Sequence, residues 1–397
     1  MSLARAVIVG FAAWILFRSA TLAKGPEAEG SPVRVTYRGF SMLPQSVAGR
    51  DGTEVAIRGL SGITWLGDDR YAAIMDNSDT LLLFTLPLAR DGTPLEPADL
   101  EVLTLSEHHD YEDLAVCPPG LQDRITGRQL RKGLPDPGRC LLVAEEDTPA
   151  VRGIALADGS VLGVIPTPQT LAARRPNRGL ESLAIDADGR HIWTANEEAL
   201  PADGPAATAT AGTVVRLTRI AIPDSEQRDR PAPIQIAYAV DAPHGFIPVF
   251  PGLPLSGVVA LAGLGADRLL VLERSGCPGL PPFENRLYEV DVRNARDISA
   301  VPGSAAERPE DHVGKRLLWK DQLGCNVEGL CLGPRLGAAR RAVLAVADNN
   351  GIGTPNQVIA FVLEEAADEM SLPMVAGSAI LVALLAVAGL TLYRLGR

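Results

Sequence analysis

Five stretches of the chain repeat one pattern of polar and apolar positions. A short strand opens on a polar residue, a turn follows, and a strongly apolar strand closes on an acid or an amide. They read LSGITWLGDDRYAAIMDNS from Leu60, YEDLAVC from Tyr111 leading to CLLVAEED from Cys140, LESLAIDADGRHIWTANEE from Leu180, LSGVVALAGLGADRLLVLERS from Leu255, and VEGLCLG from Val327 leading to AVLAVADNN from Ala342. Self-similarity on this scale is the mark of a repeat architecture. Aligning the opening polar residue gives Ser61, Glu112, Glu181, Ser256 and Glu328. Each repeat then adds strand-like runs, TLLLFTLPL and EVLTL in the first and TVVRLTRI and IQIAYAV in the third. Four strands per repeat make a propeller blade. The fifth repeat supplies three, ending at QVIAFVLE, so VRVTYRGF from Val33 is expected to complete it and cover the open edge. The expected fold is therefore an all-β propeller of five blades over residues 33–365. A sixth stays open if a degenerate blade lies between Pro201 and Pro254, and a two-sheet sandwich is the plainer alternative.

Both ends of the chain stand apart from this pattern. Arg5 precedes an apolar run from Ala6 to Phe17, with small residues at Ser19, Ala20, Thr21 and Ala23, which predicts a signal peptide over residues 1–23. Met374 to Tyr393 carries no charge and is long enough to span a bilayer as a helix. Arg394 and Arg397 follow it, predicting a cytoplasmic tail over 394–397 and a body held in the periplasm or outside the cell by that single C-terminal helix.

Blade geometry places the start of the first strand and the end of the second at the same end of the molecule. Glu112, Glu181 and Glu328 are thus expected to converge with Asp76, Glu145, Glu197, Glu273 and Asp348 around one mouth of the channel. Like charges held close raise one another's pKa or demand a counter-charge. Arg58, Arg178 and Arg274 are candidates to neutralise part of the ring. A hard cation is another, since Ca²⁺ takes several oxygen ligands and Asn77, Asn196 and Asn349 add neutral ones. The five histidines and five cysteines show no zinc-ligand spacing. Cys117 and Cys140 bracket a polar insertion between two strands and are expected to form a disulfide. Cys277 and Cys325 are expected to form a second, leaving Cys331 as a buried thiol. The net charge of −11 argues against a nucleic-acid partner.

The segments HDYEDLAV, NRGLESLAID, LLVLERS, and NVEGLCLG followed by AVADNN resemble, in order and spacing, the motifs of the phytase-like family, described as having esterase-like activity of phytase. The resemblance runs from about residue 36 to residue 363. It implies a β-propeller and a cation-dependent hydrolase of phosphate or other esters. The matched positions are Asp110 and Glu112, Glu181, Glu273 with Arg274, Glu328, and Asp348 with Asn349. Glu112, Glu181, Glu328 and Arg274 are then the catalytic candidates, Asp76, Glu145, Glu197, Glu273, Asp348 and Asn349 the metal ligands, and Arg58 and Arg178 the substrate-binding cations. Ser61 and Ser256 depart from the acidic opening, which points to an asymmetric site. The chain has no G-x-S-x-G elbow, P-loop or H-E-x-x-H helix, so a hydrolytic mechanism would be metal-assisted. The competing reading is a non-catalytic propeller that binds a cation or a protein.

Overall fold

A computed structural model describes residues 33–365, apart from residues 50, 120, 122–139, 223–230, 246–254, 266, 278, 280, 304, 322–323 and 350–354. The expected signal peptide and C-terminal helix lie outside the described residues. Among those described, no helix is long and apolar enough to cross a membrane.

The chain opens with β1 (Val33–Met42) and a short hairpin of β2 (Ser46–Ala48) and β3 (Glu54–Ala56). The first blade is β4 (Leu60–Gly67), β5 (Arg70–Met75), β6 (Ser78–Thr85) and β7 (Ala98–His109), and the second is β8 (Tyr111–Val116), β9 (Cys140–Glu145), β10 (Ala150–Ala155) and β11 (Val161–Pro166). The third runs β12 (Leu180–Ile185), β13 (His191–Asn196), β14 (Val214–Ala221) and β15 (Ile234–Ala239). The fourth runs β16 (Leu255–Gly263), β17 (Arg268–Gly276), β18 (Phe283–Asp291) and β19 (Lys315–Asp321). The last comprises β20 (Asn326–Arg335), β21 (Arg340–Asp348) and β22 (Gln357–Glu365), with β1 as its outer strand. Val33 pairs with Glu365 and Met42 with Gln357, so the chain's first described strand closes the ring on its last. The described residues between Pro201 and Pro254 supply outer strands of the third blade, and the blade count is five.

The innermost strands β4, β8, β12, β16 and β20 abut one another in that order, and β20 returns to β4. Each blade is buried on both faces, which is why its second strand reads as a continuous apolar run rather than an alternation. In β21, Ala342, Leu344 and Val346 pack toward the first blade, while Val343, Ala345 and Ala347 pack toward the fourth. In β13, Ile192 faces the second blade and Trp193 the fourth. At the centre the inner strands meet so closely that a Cβ on Gly329 would lie 2.7 Å from the Gly62 Cα. Asp113 occupies the comparable place in β8. It is fully buried and accepts hydrogen bonds from the Leu114 amide at 2.8 Å and the Leu183 amide at 2.7 Å, tying the second blade to the third.

Cys117 and Cys140 form the disulfide at the base of their hairpin. The expected Cys277–Cys325 bridge is not formed. Cys277 carries a free thiol whose Sγ lies 3.3 Å from His244 Nε2, whereas Cys325 packs against the apolar cluster between the fourth and fifth blades. Cys331 is a buried free thiol in β20.

Candidate functional site

Each inner hairpin carries a β-bulge near its mouth end. Leu60 pairs with Met75 and Gly62 with Ile74, so Ser61 is the extra residue; the same count singles out Glu181, Val259 and Glu328, and in the second blade Glu112 with Asp113. A bulge leaves its residue out of the ladder and re-aims the side chain. That geometry gathers Glu112, Glu181 and Glu328 at one end of the propeller. In the fourth blade the bulge falls at Val259, and Ser256 instead donates its hydroxyl to the Asp241 carbonyl at 2.7 Å.

The opposing strand contributes the residue just past the last partner before the bulge. These residues are Asp76, Glu146, Glu197, Arg274 and Asp348 in blade order. Glu145 and Glu273 sit one residue earlier, and one residue along a strand turns a side chain to the opposite face. Glu145 accordingly faces the first blade, with His109 Nδ1 at 3.0 Å and Arg152 Nε at 2.6 Å. Glu273 faces the third, accepting hydrogen bonds from Tyr238 Oη at 2.7 Å and the Asp241 amide at 3.0 Å, beside Lys315. The structure therefore sets Glu146 and Arg274 at the mouth in their stead. The signal for Glu146 is the alanine shared by VAEED and TANEE: aligning Ala144 with Ala195 brings Glu146, not Glu145, opposite Glu197.

Two triplets of carboxylates result. One oxygen from each of Asp76, Asp110 and Glu112 lies within 4.8 Å of the others, and the same holds for Glu112, Glu146 and Glu181. Burial, then hydrogen bonding and repulsion from Asp110 and repulsion from Glu328, push Asp76 up to about 8, against a hydrogen bond from Asn77. Burial is also the first cause at Glu112, followed by the charges of Glu181, Asp76, Glu328 and Asp110, and it stands well above the carboxylate range. Glu181 is raised by burial, Glu197 and Glu146, with Arg274 opposing. Glu146 reaches about 7 through burial and Asp110, although the Gly179 amide bonds it. Asp110 is 5 % exposed, and its Oδ1 is buried with no hydrogen-bond partner.

Arg274 closes the other side of the ring. It donates to Glu197 Oε1 and Asn326 Oδ1, each at 2.7 Å, and to Glu328. Burial works against its charge, but Glu328, Glu197 and Glu181 outweigh burial and hold it protonated. Burial raises Glu328, Arg274 pulls it back, and Asp348 and Glu197 raise it again, to about 7. Arg178 Nη1 lies 2.6 Å from Glu197 Oε2, and Arg174 donates through Nε to the Glu146 carbonyl at 2.7 Å. Asp348 Oδ1 accepts the Gly59 amide at 2.8 Å, joining the fifth blade to the first. The Asn349 amide donates to Asn356 Oδ1 at 3.0 Å, and Arg58 has an exposed side chain beside Gly59. Asn196 is turned to the Glu198 carbonyl.

All donors in the two triplets are oxygens, a set suited to a hard cation such as Ca²⁺. The unpartnered Asp110 oxygen fits that use, since a buried acceptor left alone is costly. A further cluster, Asp186, Asp188 and His191, lies at the hairpin between β12 and β13. Its oxygens are already engaged locally, Asp186 accepting from the Arg190 and His191 amides and from the His191 ring.

No curated protein matches the chain. Among solved structures it is similar to a protein from Lactobacillus plantarum, with 11 % identity and a TM-score of 0.33 over 81 % of this chain and 94 % of that one. It is also similar to Kluyveromyces lactis Hsv2, with 8 % identity and a TM-score of 0.29 over 72 % of this chain and 71 % of that one. The WD40 repeats of RRP9 align at 11 % identity and a TM-score of 0.33 over 83 % of this chain and 97 % of that one. The family model described as "Phytase-like: Esterase-like activity of phytase" matches residues 55–351, from the strand before the first blade to the end of the last inner hairpin, and the chain belongs to the phytase-like family.

Proposed function

We propose that the propeller mouth is a cation-dependent ester hydrolase centre acting on phosphate or related esters. The observation that carries this reading is Asp110 Oδ1, a buried carboxylate oxygen without a partner inside a group of carboxylates from adjoining blades. Asp76, Asp110, Glu112, Glu146 and Glu181 are the residues that would hold Ca²⁺. When bound, the ion supplies Lewis acidity toward an ester oxygen and toward water.

The remaining chemistry falls to the chain's own side chains. Glu328, poised at about 7, is the group suited to exchange a proton near neutral pH. Arg274 orients Glu328 from one side while Asn326 Nδ2 donates to the same Oε1 at 2.7 Å. Arg178, a quarter exposed, is placed to receive an anionic group of the substrate, where guanidinium geometry suits phosphate. We further propose that the expected signal and C-terminal helix export the propeller and hold it at the membrane, where it meets small-molecule esters.

The test is a hydrolysis panel on the full chain: phytate, p-nitrophenyl phosphate, a carboxylic ester and a lactone, each with Ca²⁺ and with chelator. Phosphate-ester turnover that needs Ca²⁺ and falls by about 10²-fold or more in Glu328→Gln supports the reading. Calcium binding without turnover on any substrate replaces it with the non-catalytic binding propeller.

A further inference from the structure

We propose that the propeller stands on the membrane with its mouth turned away, so that the site draws soluble esters from the aqueous side and not lipid phosphates from the bilayer beneath it. The inference rests on the membrane tether and the hydrolase of the proposed function, and adds the direction of the mouth and, through it, the class of substrate. It starts from the register of the closing blade. β22 begins at Gln357, opposite Ala347 of β21 and next to Asp348 at the mouth, and it ends at Glu365. The Glu365 amide donates to the Ala339 carbonyl at 3.0 Å, in the turn that joins β20 to β21 at the far end of the inner hairpin. Val33 pairs with Glu365. The chain therefore enters and leaves the propeller at one place, and that place is the end opposite the carboxylates.

Chain length then decides the orientation. The uncharged run expected to span the bilayer begins at Met374, nine residue steps beyond Glu365. Nine steps reach at most about 30–32 Å when fully extended. From Glu365 back to the level of the mouth, the nine residues of β22 cover about 27 Å. The headgroup layer between water and hydrocarbon adds about 5–7 Å. A mouth facing the bilayer would thus consume the whole segment, stretched back along the blade, and leave no length for the turns that rise past Gln357. Leaving directly from Glu365, the same segment crosses the headgroups with more than half its reach to spare. The far end meets the membrane, and Glu112, Glu181 and Glu328 open toward water.

Energy transfer to the bilayer tests the proposal, with the full chain reconstituted into phosphatidylcholine vesicles that contain phosphatidic acid and a rhodamine-headgroup lipid. A donor dye is attached to Asp147→Cys, in the exposed turn after Glu146 at the mouth, or to Ala187→Cys, in the exposed turn between β12 and β13 at the far end. The wild type, labelled in parallel, supplies the contribution of the native thiols. The two positions lie on neighbouring blades and differ in height by roughly 20 Å, so transfer from Asp147→Cys is expected to be about half that from Ala187→Cys or less. Equal transfer from the two, or stronger transfer from the mouth, overturns the orientation. Unlabelled wild type with Ca²⁺ should hydrolyse p-nitrophenyl phosphate in the buffer and leave the phosphatidic acid of its own vesicles intact, and phosphate released from that lipid likewise overturns it. The expected difference in transfer without turnover of any ester would leave the orientation standing and remove the hydrolase. A chain that fails to float with the vesicles would remove the tether and this inference with it, whatever its activity on soluble esters.

Discussion

Arg274 stands where the other four blades carry a carboxylate, and its Nη2 lies 2.7 Å from Glu197 Oε1 of the preceding blade. The same guanidinium reaches Glu328 of the following blade, so one cation spans three blades at the mouth. Truncating one partner of a buried ion pair leaves the other charge uncompensated, at a cost of about 3–5 kcal/mol. Arg274→Met should therefore be strongly destabilising at pH 8 and less so at pH 5, where Glu328 can take up a proton instead. Urea unfolding at the two pH values measures the difference. Equal losses at both would show that packing, not charge, is what Arg274 contributes.

Glu145 and Glu273 make the complementary prediction. Both are buried acids at the mouth end of a second strand, yet both face a neighbouring blade rather than the ring. Glu145→Gln and Glu273→Gln should lower stability, because Arg152 and Lys315 lose their buried carboxylate partners and keep only the more exposed Glu107 and Asp241. Neither should change a calorimetric titration with calcium. A variant at either position that abolished calcium binding would place that side chain in the ring.

These residues mark how far the fold and site were legible in the amino-acid order. The five repeats, the closing strand from Val33 and the Cys117–Cys140 bridge follow from the recurring pattern of a polar opening and an apolar strand and from where polar insertions interrupt it. Glu112, Glu181 and Glu328 also emerge from the pattern, because each opens a strand. The bulge does not. An extra unpaired residue at the mouth leaves no trace in hydrophobicity, yet it shifts the alternation by one and exchanges Glu145 for Glu146 and Glu273 for Arg274. The Cys277–Cys325 pairing failed for a related reason. Sequence places both cysteines beside strands of adjacent blades, but side-chain direction sends one to His244 and the other into an apolar cluster.

The cysteines themselves give a third prediction. The Cys117–Cys140 bridge spans a sequence separation of 23. Chain-entropy arguments assign a loop of that size about 3 kcal/mol. Replacing both cysteines by serine should cost that amount in denaturant unfolding. Peptide mapping of the native chain should find Cys277 alkylated slowly, since burial, opposed by the Gly279 amide and aided by Glu284, raises its thiol pKa. Cys331, buried in β20 with its thiol pKa raised by that burial, should react only after unfolding. A Cys277–Cys325 bridge in the native map would contradict the geometry at His244.

The pH dependence of stability follows from the mouth carboxylates. Glu146 and Glu328 titrate near 7 and Asp76 near 8 when folded, while Glu112 and Glu181 stand well above the carboxylate range. In the unfolded chain the same groups ionise near 4. Between those limits the folded state binds more protons than the unfolded state, so unfolding releases protons and stability falls as pH rises. The contribution is fully present below about pH 4 and is lost progressively through pH 7 to 8. Surface aspartates such as Asp51, Asp91 and Asp158, held low by hydrogen bonds from Thr53, Thr93 and Ser160, complete their titration below this window and do not mask it. Calcium reverses the trend, because an ion that binds only the folded ring stabilises it by mass action and displaces the protons that crowding retains. The metal-free chain should thus melt at progressively lower temperature from pH 5 to pH 8. Added calcium should raise the melting temperature more at pH 8 than at pH 5, with proton release on binding detectable by calorimetry in buffers of different ionisation enthalpy. A melting temperature that rises across the window without calcium would mean that the ring is ionised and neutralised by arginine alone.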